Sequence, residues 1–504
     1  MQAQAAEPAP LPKIPEVKIP DEKKLPEPKK TEAKVGDVPP EPPQALPRIF
    51  GSPSSEGGTL SLEDVLNSVE RHYPLLRAVE QERALAGGRL LSTLGAFDTN
   101  LNAILNGQSP ATYENLRSSV GISQALPNQG IGVFAGYRTG LGDFPTYNLD
   151  QKTADGGEFR AGITVPLLRD RDIDRPRASI QQAQIDARLA EPLIERQRLD
   201  FQRAAARIYW GWVATGQRLK IAKSLVELAD ERDDQLKAKV QIGQTANIER
   251  IDNQQNIALR NGLLIQAQRS FQQASIELSL FLRDENAQPT IAGANRLPTF
   301  PELKPADLNS FEASLRMAFE LRPEPRRVRL QREKAAVDLR LAANQILPTV
   351  NAVVSASQDV GFGRSSLSGP NSADRSSLNA GLMFQLPAQR REARGRVVVA
   401  QAQLNQIEQV LRQTEDVVRA EVQDTFSAVE RAYEFYDQAK KRVKLVQLVA
   451  EAEREQLRLG RSDVLRVTLR EQAAFDAEVL LVSAQQEYFR ALADLRAAIG
   501  YGGR

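Results

Sequence analysis

The chain has 504 residues, contains no cysteine and a single histidine, and carries 66 Lys and Arg against 64 Asp and Glu, a net charge of +2. This composition excludes disulfides, cysteine nucleophiles and zinc sites built from Cys and His, and leaves only His72 for histidine acid–base catalysis. Nucleic-acid-binding proteins usually have a concentrated basic surplus, whereas these charges alternate in sign along helical stretches, as on a solvated helix face.

The N-terminal segment is rich in proline. Twelve of the 29 prolines lie in residues 1–50, mixed with Lys and Glu. Such a composition cannot bury enough apolar surface to form a core. We therefore predict a disordered tail over 1–58, with a spacer that reaches a partner as the functional alternative.

From residue 60 onward the chain repeats itself. Residues 61–103 align without gaps on 310–352, and near the far ends of the two halves Gly243 aligns on Gly460. A period of about 200 residues is too long for a short-repeat solenoid. The alignment predicts a tandem duplication with one domain for each copy, 59–300 and 301–504.

Each half opens with a predicted helix. A serine suited to capping stands at the start, Ser61 in the first half and Ser310 in the second. A proline then interrupts the helical pattern, at Pro74 or Pro323.

Two segments in each half alternate apolar and polar residues. They cover 97–106 and 158–167 in the first half, and 349–357 and 377–386 in the second. This period of two predicts β-strands with one apolar and one polar face, four strands in each chain. The first half also carries a longer insert, 104–158, which the sequence leaves open as extra strands, an external loop or a plug.

Long helices follow the strands. Apolar residues at helical spacing cover about 175–240 and 391–458, each of which would extend roughly 100 Å. A glycine turn, VQIGQT or LRLGRS, then leads into a return helix. Such hairpins cannot hide their apolar stripes within one compact monomer, so we expect neighbouring helices to cover them, as in a coiled-coil wall.

The strands also bear on membrane insertion. No stretch approaches the roughly 18 apolar residues that a membrane-spanning helix needs. The alternating segments suit tilted transmembrane strands with one face to lipid and one to a wet lumen, although a soluble protein with a one-sided sheet is the alternative. Four strands cannot close a barrel, since small barrels need about eight, so closure requires several chains, and three would give twelve strands.

The order of these elements, present twice, resembles the TolC family of outer-membrane efflux proteins over about 60–502. The local motifs agree: ANQILPTVNA (343–352) and GITVPLL (162–168) flank strands, and LRLGRSDVLRV (457–467) matches the glycine turn. The resemblance implies a mixed, mainly α fold in which long coiled-coil hairpins join strands of a trimeric, 12-stranded transmembrane β-barrel. It places the barrel in the outer membrane and the helical tunnel in the periplasm.

The resemblance also implies a function. The homotrimer would be the passive exit duct of a tripartite efflux or type I secretion system, contacting outer-membrane lipid, a periplasmic adaptor and, through it, an inner-membrane pump. It would need no cofactor. A soluble periplasmic coiled-coil scaffold or adaptor is the alternative. An enzyme fits less well, because the carboxylates are scattered at helical intervals without a nucleophile–base pair or a phosphate-binding glycine loop.

The glycine turns are the predicted tip of the tunnel, where the resemblance places the docking of an adaptor hairpin. A purely structural role in the helix turns is the alternative. The predicted docking residues are Val240, Ile242, Gly243, Leu457, Leu459 and Gly460.

A predicted pore constriction lies next to the second turn. Asp463 matches the acid that lines the constriction in the family, and three copies would form a charged ring. An acid that stabilises the start of a helix is the alternative. Arg466 stands where some family members carry a second acid, which argues against strong cation selectivity, and Arg461 is predicted to pair with Glu249 or Asp252 of the other repeat.

Overall fold

A computed structural model describes residues 58–108, 113–145, 147, 151–305, 310–363 and 375–501. The predicted tail therefore lies outside the described residues, apart from Gly58. Among the helices of the described ranges, none combines the length and the apolar character that a membrane crossing requires. The described residues form nine α-helices and six β-strands: α1 (Leu62–His72), α2 (Pro74–Glu80), α3 (Glu82–Leu94), β1 (Asn100–Gln108), β2 (Asn115–Ala125), β3 (Gly132–Gly142), β4 (Glu158–Pro166), α4 (Arg175–Gln241), α5 (Asn247–Ser279), α6 (Ser310–Leu321), α7 (Pro323–Asn344), β5 (Thr349–Asp359), β6 (Ser376–Gln385), α8 (Arg391–Arg458) and α9 (Val464–Ile499).

The order helix, strand, long helix, return helix occurs twice, as the sequence repeat predicts. The Ser61 hydroxyl accepts a hydrogen bond from the Asp64 N–H at 3.1 Å, and the Asp64 carboxylate accepts one from the Ser61 N–H at 2.9 Å, so a capping box starts α1. Pro74 and Pro323 are the first residues of α2 and α7, where a missing N–H costs no helical hydrogen bond.

The six strands form one antiparallel sheet in chain order, β1 to β6. All four predicted strands are present, as β1, β4, β5 and β6, and the insert 104–158 supplies two more, β2 and β3. Its period-two pattern is weak: Ser118 occupies an apolar-face position of β2, and glycines such as Gly121 and Gly136 occupy the other face. Of the three alternatives for the insert, namely extra strands, an external loop or a plug, the structure shows extra strands.

The register of the sheet separates an apolar from a polar face. One row of paired residues crosses all six strands and is apolar throughout: Leu101, Ile122, Ala135, Ala161, Ala356 and Leu378. The adjacent row, which points to the opposite face, is polar or glycine throughout: Asn102, Gly121, Gly136, Arg160, Ser357 and Ser377. Along these two rows, the alternation that is visible within single strands extends across all six strands.

The long helices enclose an aromatic core partway along their length. Helices α4 and α8 contain 67 and 68 residues. The ring of Trp210 stacks on Phe489 at 4.1 Å and on Phe300 at 5.8 Å between centroids. Trp212 is fully buried and donates its indole N–H to Ser275 at 3.1 Å, which satisfies its one polar atom.

Beyond this core, the hairpins expose apolar side chains. In the single chain these side chains are exposed to solvent, and most lie on the helices near the two turns: Ile248, Ile251, Leu259, Ile265, Leu445, Leu448, Leu465 and Leu469. A helix face of this kind is stabilised when another helix covers it. The structure thus leaves uncovered the stripes for which the sequence predicts neighbouring helices.

Candidate functional sites

The polar face of the sheet carries charged residues towards the end that lies away from the helices. Arg138 donates to the carboxylate of Glu158 at 2.5 Å, and Arg160 lies 3.9 Å from the same group. Glu158 is paired in the sheet with Asp359, so two carboxylates stand side by side on β4 and β5. Both acids are buried, although they belong to the polar face.

The two glycine turns have the same backbone hydrogen bonds. Gly243 has φ of 73° and Gly460 has φ of 69°, in the left-handed region that glycine adopts without strain. The N–H after each glycine bonds to a carbonyl five residues back, Gln244 to Lys239 at 2.9 Å and Arg461 to Gln456 at 2.8 Å. Each long helix therefore ends in a Schellman motif, as expected for a sharp helix-to-helix turn.

The side chains of the predicted docking residues lie around these turns. Ile242 is 67% exposed and Leu459 is 51% exposed, at equivalent positions of the two repeats. Val240 and Leu457, each two residues before these positions, are half-buried. Each turn thus presents one large apolar side chain to solvent.

Replacing Gly460 with Ala should lower the free energy of unfolding by about 1–2 kcal/mol, because a Cβ disfavours the left-handed conformation. A Cβ at this position would meet nothing within 4 Å, so the cost is that of the backbone alone. Chemical denaturation followed by circular dichroism measures it. Gly262 is the matched control: it lies inside α5 with equally open surroundings, and Gly262→Ala should stabilise the protein by about 0.5–1 kcal/mol. Equal effects of the two changes would contradict the left-handed conformation of Gly460 as the cause of the cost.

The predicted constriction residues are only partly brought together. Asp463 caps α9, accepting a hydrogen bond from the Arg466 N–H at 2.8 Å, and the Arg466 guanidinium lies 3.4 Å from its carboxylate. The single chain thus shows the helix-start role of Asp463. Within the described ranges, no ion pair joins Arg461 to Glu249 or Asp252, so the predicted pairing is not made within one chain.

A buried ionic cluster that the sequence analysis missed joins all four long helices. Glu471 of α9, 1% exposed at its side chain, accepts hydrogen bonds from Arg260 of α5 at 2.9 Å and Arg454 of α8 at 3.0 Å. Arg232 of α4 donates to the same carboxylate. Burial alone would raise the pKa of Glu471, but the three arginines outweigh it and hold the pKa below its ordinary value. In the sequence these residues are four more charges among many at helical spacing, and nothing there shows their burial.

No protein-family model matches the sequence, and no curated protein matches it. Solved structures do match. The CmeC outer membrane channel of Campylobacter jejuni is 15% identical with a TM-score of 0.60, over 92% of this chain and 93% of that one. The open state of the MtrE outer membrane channel of Neisseria gonorrhoeae is 16% identical with a TM-score of 0.62, over 87% and 88%.

The outer membrane protein VceC of Vibrio cholerae also matches, with 14% identity and a TM-score of 0.60 over 88% of this chain and 97% of that one. Identities this low show the fold and nothing beyond it. The chain has the fold of these outer-membrane channels, so the resemblance to TolC-like proteins is confirmed at the level of the fold.

Proposed function

We propose that the chain is one subunit of an outer-membrane channel, the passive exit duct of a tripartite efflux or type I secretion system. The observation that carries this proposal is the sheet, in which one apolar row and one polar row of paired residues each cross all six strands. One face suits lipid and the other suits a water-filled lumen. The shared fold with outer-membrane channels favours this function over a soluble scaffold.

The edges of the sheet support assembly from several copies. Strands β1 and β6 are the two edges, and they run antiparallel because six strands alternate in direction. In a closed ring, β6 of one copy pairs with β1 of the next in the same antiparallel manner, which removes both free edges. Three copies would bring eighteen strands, and not the twelve expected from four strands in each chain. Barrels of about 16–18 strands leave an aqueous channel.

The apolar face supports the membrane location. Leu378 is 76% exposed and Leu382 is 75% exposed in the single chain. The apolar row of Leu378 crosses all six strands, and that of Leu382 continues through Ala352 to Val165. A water-soluble protein rarely exposes an apolar surface of this extent, whereas a lipid-facing wall requires it. The exposed helical stripes near the turns would be covered when neighbouring copies pack into a tunnel wall.

Fractionation of cells that express the chain tests this location. The protein should be extracted from outer membranes with detergent, as a trimer that dissociates on heating in gel electrophoresis. A monomer that stays in solution without detergent would contradict the channel and support the scaffold. A detergent-extracted dimer would close a ring of twelve strands and would contradict the trimer alone.

For the helical turns, we propose that they are the periplasmic tip of the tunnel. The exposed Ile242 and Leu459 suit docking of an adaptor hairpin, together with Val240, Gly243, Leu457 and Gly460 around them. In the assembly, three copies of Asp463 would form an acidic ring beside this tip.

Replacement of Asp463 with Asn tests the ring. Asn keeps the helix cap but removes the charge, so the preference of the channel for cations over anions should fall while the protein stays folded. Reversal potentials in a salt gradient measure this preference. The control is Asp476→Asn, which removes an exposed acid farther along the same helix. If both variants keep the preference of the unmodified channel, Asp463 is a cap and not a filter.

A further inference from the structure

We infer that the segment 151–155, between β3 and β4, lies across the polar face of the sheet and narrows the mouth of the channel. This inference rests on the proposed function, because it assigns the polar face to the lumen. The segment, called the inner segment below, is the part of the insert that follows the two additional strands.

The position of Gly140 places the inner segment on the polar face. Gly140 pairs with Arg117 in the sheet, and side chains at both positions point to the polar side. A Cβ on Gly140 would overlap the carbonyl oxygen of Gln151, so the inner segment crosses where that side chain would stand. Arg117 reaches the segment from the same face, since its guanidinium donates to the Gln151 side chain.

Hydrogen bonds hold the inner segment at both sides of β4. On the β3 side, the Thr153 N–H donates to the Gly140 carbonyl at 3.1 Å, and the Gly140 N–H donates to the Thr153 hydroxyl at 2.9 Å. On the β5 side, the Ala154 N–H donates to the Asp359 carboxylate at 3.4 Å. Next to it, the Asp155 N–H donates to the Phe362 carbonyl at 3.1 Å. The inner segment is thus fixed to the strands on either side of it.

Burial shows that the inner segment covers charged groups. Thr153 and Ala154 are buried, and so are Glu158 and Asp359 beneath them, while Ser355 and Ser357 farther along β5 stay partly exposed. Carboxylates on a lumen-facing wall would otherwise be open to water. The coverage lies at the end of the strands that is away from the helices, where β3 ends and β4 begins.

The strand count gives the inner segment a role. A ring of eighteen strands is wider than a ring of twelve, because barrel diameter grows with the number of strands. Three inner segments projecting from its wall would reduce the opening at this end. The same insert thus widens the barrel with β2 and β3 and narrows the mouth of the barrel with the inner segment. The mouth would then limit the size of molecules that pass, as a second constriction besides the helical tip.

Cysteine labelling tests the inference without depending on whether the helical tip is open. The chain has no native cysteine, so Asn379→Cys provides a single reactive thiol on the exposed polar face. Residue 379 pairs with Ser355, which lies four positions along β5 from Asp359, about 13 Å inside the covered end. Reagents are added to the membrane-embedded protein on the side of the strand loops, one a small methanethiosulfonate and the other a bulky polyethylene-glycol maleimide.

In the otherwise unmodified channel, the small reagent should react much faster than the bulky one. Adding Gly140→Ala, which displaces the inner segment, should increase the rate of the bulky reagent and leave the small one unchanged. Gly132→Ala is the matched control, because Gly132 lies on the same strand and face with nothing within 4 Å of an added Cβ. Arg117→Met, which removes the contact with Gln151, should act like Gly140→Ala.

Three outcomes distinguish this inference from the proposed function. If the bulky reagent reacts only when the inner segment is displaced, the constriction is established. If both reagents reach residue 379 equally well in a channel that conducts ions, the constriction is overturned and the channel remains. If the protein neither enters membranes nor conducts, both proposals fail together.

Discussion

Replacing Glu471 with Ala is expected to lower the free energy of unfolding by about 3–5 kcal/mol, the usual cost of removing one partner of a buried ion pair. The change leaves Arg232 and Arg260 buried without the carboxylate that they share. Because this carboxylate joins α4, α5, α8 and α9, the helices near the turns should lose contact with one another first. Denaturant unfolding of the detergent-solubilised protein, followed by circular dichroism, measures the loss.

The exposed pair of Glu455 and Arg458 provides the control for Glu471. Its carboxylate and guanidinium are 2.6 Å apart on the surface of α8, and water screens the interaction. Glu455→Ala should therefore leave the unfolding midpoint almost unchanged. Equal effects of the two variants would show that the buried cluster does not hold the four helices together.

The same cluster predicts a dependence of stability on pH. The pKa of Glu471 is lowered in the folded state, so its contribution is complete above the pKa of an unfolded glutamate, about 4.3. The contribution is lost as the pH falls below that value and through the lower folded pKa. Glu471→Gln should be less stable at pH 7 and should lose less stability on acidification than the unmodified protein.

Arginine placed on the apolar face of the sheet is expected to have the second-largest effect. Ala380 lies near the middle of β6 on this face, and Asn379 next to it lies on the polar face. Ala380→Arg should cost about 2–4 kcal/mol, because the charge would lie in the hydrocarbon of the membrane. Asn379→Arg should be tolerated, because its charge would lie in a wet lumen. The yield of heat-dissociable trimer in outer membranes measures both.

This pair of variants separates the two candidate functions. Within one chain both side chains are exposed, so a one-sided sheet in a water-soluble protein would accept arginine at either position. Equal yields from Ala380→Arg and Asn379→Arg would therefore contradict a lipid-facing wall. A loss confined to Ala380→Arg would support it.

The sequence predicts those parts of the fold that depend on local pattern. The strand predicted from the alternation in 349–357 is present as β5, and the glycines at 243 and 460 have the left-handed conformation that ends a helix. The helix breaks at Pro74 and Pro323 also appear, since proline lacks the N–H that a helix interior needs.

The strand count and the ionic cluster could not be predicted from the sequence in the same way. In β2 and β3, Ser118 and several glycines weaken the alternation, so the sequence of the insert does not by itself identify two strands. The partners of Glu471 are 17 to 239 residues away in the chain, and only the packing of four helices brings them together. One chain leaves Asp463 and Arg461 exposed, and the proposed ring at the tip would form only from several copies.

Single-channel recording in planar lipid bilayers tests the central claim most directly. We expect the purified trimer to insert and to produce stepwise, long-lived ionic currents without any added energy source, as a passive water-filled duct requires. Ala380→Arg should abolish insertion, and Asn379→Arg should preserve the steps while altering their ion preference. A protein that stays in plain buffer and produces no steps at any concentration would contradict the claim that these two-faced strands form the wall of a channel.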